Sequence, residues 1–136
     1  SKMSAKPPKP PAPPKPPLPP IPPFPPLPPD GVLSLPEVLM RAATDSTKSL
    51  DGRDITTTGF TMAGDLARVV IICCAADAQL ARIHLSGNVS RYPDDTWLRM
   101  QGRVVPGSSN PSTMFVPTLE VTNATPIPKP ANSYAY

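Results

Sequence analysis

The chain has 136 residues, 24 of them proline, with a formal charge of +3 and two cysteines. Sixteen prolines crowd between Pro7 and Pro29, which excludes helix and central strand there and leaves about a hundred residues for one domain with a modest core. The charge excess resides in Lys2, Lys6, Lys9 and Lys15 against Asp30, while the remainder is balanced at nine basic and nine acidic residues. That balance argues against nucleic acid as a partner.

From Lys6 the chain repeats X-Pro-Pro, with Lys6, Lys9, Ala12, Lys15, Leu18, Ile21, Phe24 and Leu27 at the X positions. Polyproline II has three residues per turn, so these side chains line one edge, basic in its first half and apolar in its second. The run would reach about 75 Å. It reads as a stalk over 1–30. Two uses are open: a spacer, the commoner use of such sequence, or a ligand whose Leu18, Ile21, Phe24 and Leu27 edge docks into an apolar groove.

Asp30-Gly31 ends the stalk. Ser34-Leu35-Pro36-Glu37 has the form of a capping box and predicts a short helix from Leu35 to about Ala43, with Leu35, Val38, Leu39 and Ala42 buried. Five strands follow. Asp54 to Met62 is β-branched around Gly59, Leu66 to Cys74 is nearly continuous apolar, and Leu80 to Ser86 alternates with Ala81, Ile83 and Leu85 inward. Thr96 to Val105 is the fourth, with Trp97 in the core. Thr113 to Val121 is the fifth, with Phe115, Leu119 and Val121 inward. Five short-linked strands predict a mainly β, OB-like small barrel over 31–126, with 127–136 a flexible proline-containing tail.

Leu50-Asp51-Gly52-Arg53, Thr58-Gly59-Phe60, the run from Ala67 to Ala78, Asp95-Thr96-Trp97-Leu98-Arg99-Met100-Gln101-Gly102 and Phe115-Val116-Pro117 resemble one bacterial family. It is the YcgQ-type two-component permease subunits, and the resemblance covers about 48–128. Its most specific part is Arg-x-x-x-x-Cys-Cys-x-x-Asp-Ala, and the long stalk departs from the usual shorter connection. The resemblance implies membrane attachment through a segment outside these residues and a non-enzymatic role as a permease accessory, with a permease subunit as partner. An extracytoplasmic setting suits the stalk, and self-association is left open.

Cys73 and Cys74 are the most unusual local pair. As neighbours they cannot form the framework of a disulfide-stapled fold. Free cysteines are usually small buried hydrophobes, and no cofactor is expected on that reading. The rival readings are a soft-metal site, zinc or copper with Asp77 or His84 completing the shell, and a thiol redox sensor. Arg68 is a natural ion-pair partner for Asp77. Arg82 and His84 should share an outward face that Arg99, Gln101 and Arg103 continue on the next strand. That face would be either solvated or a surface for a ligand or partner. No catalytic constellation is visible: there is one histidine, no phosphate loop and no triad.

Overall fold

The computed structural model describes residues 7–17, 24–71, 75–87, 89 and 91–135. In chain order the elements are α1 (Leu35–Thr44), β1 (Asp54–Met62), β2 (Asp65–Val70), a 3-10 turn (Ala75–Asp77), β3 (Gln79–Ser86), β4 (Trp97–Val104), a second 3-10 turn (Pro111–Thr113), β5 (Thr118–Pro126) and β6 (Tyr134–Ala135). Strands β1 to β5 close into a barrel. β1 pairs with β4 and β2, β4 with β5, β5 with β3, and β3 with β2, all antiparallel except β3 with β5. This closed five-stranded arrangement with one short helix is an OB-like small barrel.

Strict alternation builds the interior. On β4, Leu98, Met100, Gly102 and Val104 are buried, and Arg99, Gln101 and Arg103 are exposed. Ile55, Leu66, Ile83, Leu98, Met100 and Leu119 are almost wholly buried, and Leu35 and Val38 of α1 join them. Two glycines let strands approach closely. A Cβ on Gly59 would lie 2.5 Å from the Ala67 carbonyl oxygen, and one on Gly102 would lie 2.4 Å from that of Glu120. The ladder between β4 and β5 shifts register at Gln101/Gly102, a bulge that bends the sheet toward closure.

The helix starts where Ser34 Oγ accepts the Glu37 N–H at 3.3 Å, with proline in the first turn. Glu37 does not complete a capping box with its side chain. It turns along the helix to Arg41, whose Nε lies 3.4 Å from Glu37 Oε1. Arg41 is a departure from expectation: it is 2% exposed, while Leu39 and Ala42 are only partly buried. Its guanidinium lies 5.4 Å from the ring centroid of Phe24 on the stalk. Leu27 packs against the core cluster, and the Gly31 N–H donates to the Pro28 carbonyl at 2.9 Å. The last turns of the stalk are thus seated on the barrel. Residues 7–17 are exposed and without helix or strand. Leu18 and Ile21 lie outside the described residues.

Three further expectations change. β2 ends at Val70, short of the predicted Cys74. β5 begins at Thr118 and runs to Pro126. Asn110-Pro111 initiates a turn, with Asn110 Oδ1 accepting the Thr113 N–H at 3.2 Å, and Met114 and Phe115 then adopt left-handed backbone at φ 52° and 60°. Phe115 is therefore 42% exposed and does not face inward. The tail also joins the sheet. Tyr134 and Ala135 pair in parallel with Val69 and Val70, and the Ile71 N–H donates to the Ala135 carbonyl at 2.9 Å.

Candidate functional site

The polar residues expected on one face occupy two. β5 lies between β3 and β4, so Arg82 and His84 do not share a surface row with Arg99, Gln101 and Arg103. The reason is topological: strands consecutive in the chain are not neighbours here, because β3 and β4 both pair with β5.

The first face centres on Asp65, at the start of β2 and opposite His84 in the ladder. Asp65 Oδ2 accepts from Arg82 Nη2 at 2.9 Å and Nε at 3.0 Å, and Asp65 Oδ1 lies 3.0 Å from His84 Nδ1. Arg82 Nη2 also donates to the Met62 carbonyl at 3.2 Å, fastening the tight β1–β2 turn. Nε and Nη2 of Arg82 are thus committed to structure.

On the second face, Arg99 stands opposite Thr58 and Thr125, Gln101 opposite Thr56 and Asn123, and Arg103 opposite Asp54 and Glu120. All three β4 side chains are exposed, and Arg103 has acidic cross-strand neighbours on both sides.

Cys73 and Cys74 lie outside the described residues. Asp77 closes the 3-10 turn that follows them. Among the described residues no group of three or more His, Cys, Asp and Glu could hold a metal ion. The partners of Arg68 differ from the expected Asp77. Its guanidinium lies 5.3 Å from the Trp97 ring centroid, and its Nε donates to the Ser133 carbonyl at 3.3 Å. Burial pushes its pKa below the ordinary arginine value.

Those partners mark a cleft that the sequence did not reveal. Trp97 and Phe60 face each other across β1 and β4, with ring centroids 5.4 Å apart and planes tilted by 56°. The C-terminal segment crosses beside them. It is pinned at one end by the Ile127 N–H on the Trp97 carbonyl, at 3.0 Å, and at the other by β6. Between the segment and the barrel lies a cleft of about 580 Å³ lined by Phe60, Val69, Asp95, Trp97, Lys129, Ser133 and Tyr134. The volume falls within the range of small-molecule sites. The available signal was the aromatic and basic content of 127–136, which the prolines there disguised as a tail.

The family model of the DUF1980 C-terminal domain matches residues 38–136. The chain belongs to that family. The matched residues of this DUF1980 domain take in the helix from Val38 onward, the whole barrel and the C-terminal segment that walls the cleft. No curated protein matches the chain. Among solved structures, telomere capping protein Ten1 from Saccharomyces pombe is similar at 10% identity. That similarity covers 71% of this chain and 79% of that one, with a TM-score of 0.33. The strand order alone carries the fold assignment of the DUF1980 domain. No helix among the described residues is long and apolar enough to cross a membrane.

Proposed function

We propose that this domain is a non-enzymatic accessory module of a membrane-associated permease complex, and that it binds or positions a partner at a set distance from its point of attachment. The observation that carries the reading is the joint between stalk and barrel. Leu27 packs on the core and Phe24 lies against the buried Arg41, so the end of the stalk from Phe24 onward is fixed on the barrel. A loosely tethered domain needs no such joint. A stiff rod seated on its cargo holds that cargo in place, because polyproline II keeps its direction over several residues.

Membership of the DUF1980 family supports the YcgQ-type reading, in which the chain is attached to a membrane through a segment outside these residues. The partner would be a polytopic permease subunit, with the domain on the extracytoplasmic side. The exposed row of Arg99, Gln101 and Arg103 is the surface offered to it. Arg82 and His84 serve that surface less well, because both are held by Asp65.

Co-expression of the membrane-attached protein with a polytopic permease subunit of the YcgQ-type pairing tests the reading. A complex that survives detergent purification, and is lost when Arg99→Glu and Arg103→Glu are combined, is the expected result. A membrane-attached protein that purifies without the permease would refute it.

A further inference from the structure

The cleft beneath the C-terminal segment has the composition of a ligand site. Its walls are three aromatic rings, Phe60, Trp97 and Tyr134, and its volume is about 580 Å³. Trp97 is 9% exposed, while Tyr134 is 43% exposed and forms the open wall. One cation lines it and a second borders it. Lys129 lines it directly, and Arg68 lies against the Trp97 ring while bonded to Ser133, another lining residue. Among the described residues neither cation has a carboxylate within ion-pair distance: the three pairs found there are Arg41 with Glu37 and Asp65 with Arg82 and His84. A partly desolvated guanidinium without a counter-charge is a standing electrostatic cost, and its lowered pKa is the sign of it.

One carboxylate, Asp95, also lines the cleft, carried on left-handed backbone at φ 66° and fixed by its N–H on the Thr61 carbonyl at 2.8 Å. Two cations against one carboxylate leave a single positive charge to be met, which suits a monoanion better than a dianion. The aromatic walls suit a flat apolar body.

We propose that the cleft between the C-terminal segment and strands β1, β2 and β4 binds a small monoanionic carboxylate with a ring-shaped apolar body. Lys129 and Arg68 meet the carboxylate, and Phe60, Trp97 and Tyr134 enclose the ring. The site does not rest on the permease reading: it requires no membrane partner, although Trp97 shares the outward side of β4 with Arg99, two residues away.

Trp97 is the chain's one tryptophan, so its fluorescence reports this cleft. Phenylacetate is the probe, with acetate to omit the ring and phenethylamine to reverse the charge. A saturable change in Trp97 emission with phenylacetate alone is expected. Lys129→Gln should weaken it by roughly fivefold, the scale of one partly screened charge contact. Arg53→Gln, an exposed position at the opposite end of β1 from Phe60, should leave it unchanged. Lys129 is exposed, and an unaltered melting temperature shows that the variant folds. No saturable response up to about 10 mM would overturn the proposal, since even weak small-ligand sites fill in the millimolar range. An equal response to phenethylamine, or an undiminished one in Lys129→Gln, would overturn the assignment of charge. None of these results bears on whether the permease co-purifies.

Discussion

Replacing Arg41 by methionine separates two roles that the buried guanidinium combines. Arg41 is 2% exposed, and its Nη1 is buried without a hydrogen-bond partner among the described residues. An unsatisfied buried donor costs about 1–3 kcal/mol. Against that cost stand the Phe24 ring, worth about 0.5–2 kcal/mol, and the helix pair with Glu37, worth about 0.3–0.5 kcal/mol. Methionine keeps the apolar stem and removes both sides of the balance. Global stability should therefore stay within about 1 kcal/mol of the parent, read as an urea midpoint at unchanged m-value. The joint, however, should loosen. In a double-mutant cycle, Phe24→Ala should cost less in the Arg41→Met background by about 0.5–2 kcal/mol, the ring–cation coupling. A loss beyond about 2 kcal/mol in Arg41→Met alone would refute the argument, because the missing Nη1 partner would then be no cost at all.

Gly102→Ala should be the most damaging small substitution, costing at least about 2 kcal/mol or preventing folding. Its Cβ would lie 2.4 Å from the Glu120 carbonyl oxygen and 2.9 Å from Leu119 Cγ, and thermal unfolding measures the loss. Asp45, the helix C-cap, accepts from the side chains of Ser49 and Thr47, which hold its pKa down at about 2 from 3.8. A depressed carboxylate pKa adds stability above its unfolded value, and that contribution disappears as pH falls from near 4 toward 2. After allowance for solvent screening it is about 1 kcal/mol, and Asp45→Asn should flatten the acid limb of a pH–stability curve by that amount. Protein purified anaerobically without chelator is expected to carry no stoichiometric zinc or copper. One metal per chain, lost in the double serine variant of Cys73 and Cys74, would move the function to the cysteine pair.

Local chemistry was legible in the sequence wherever it was decided locally. Ser34 and Pro36 announced the helix, and the alternation of β4 and the β-branched run around Gly59 gave strands with almost their true bounds. What failed was, apart from one local turn, decided at a distance. Asn110 and Thr113 close their turn through side chains, so a β-prone stretch around Phe115 became left-handed loop and β5 moved downstream. The burial of Arg41 has no signal in the helix pattern because its cover, Phe24, belongs to the proline-rich segment. The binding face was misjudged because alternation assigns each side chain to a face but does not say which strands adjoin. The aromatic cleft was invisible for the same reason: Phe60, Trp97 and Tyr134 come from three separate elements.

The C-terminal segment follows from a defect in the barrel itself. β1 and β2 pair only from Met62↔Asp65 to Phe60↔Ala67, after which they diverge. Arg68, Val69 and Val70 continue along β3 but are left without β1 on their other side. An unpaired strand edge is both a loss of hydrogen bonds and a template for aggregation. β6 fills part of that gap in parallel, through Tyr134 and Ala135. Only two residues pair, because the approach is constrained at the other end, where the Ile127 N–H is held by the Trp97 carbonyl. Between those fixed points the prolines at 128 and 130 keep the chain extended and off the barrel surface. A strap that must close an edge at one end, and cannot lie flat in between, leaves a space over Trp97. The cleft thus arises from edge protection, and Lys129 stands in the raised part of that strap, where a charge directed at a bound carboxylate costs the fold nothing.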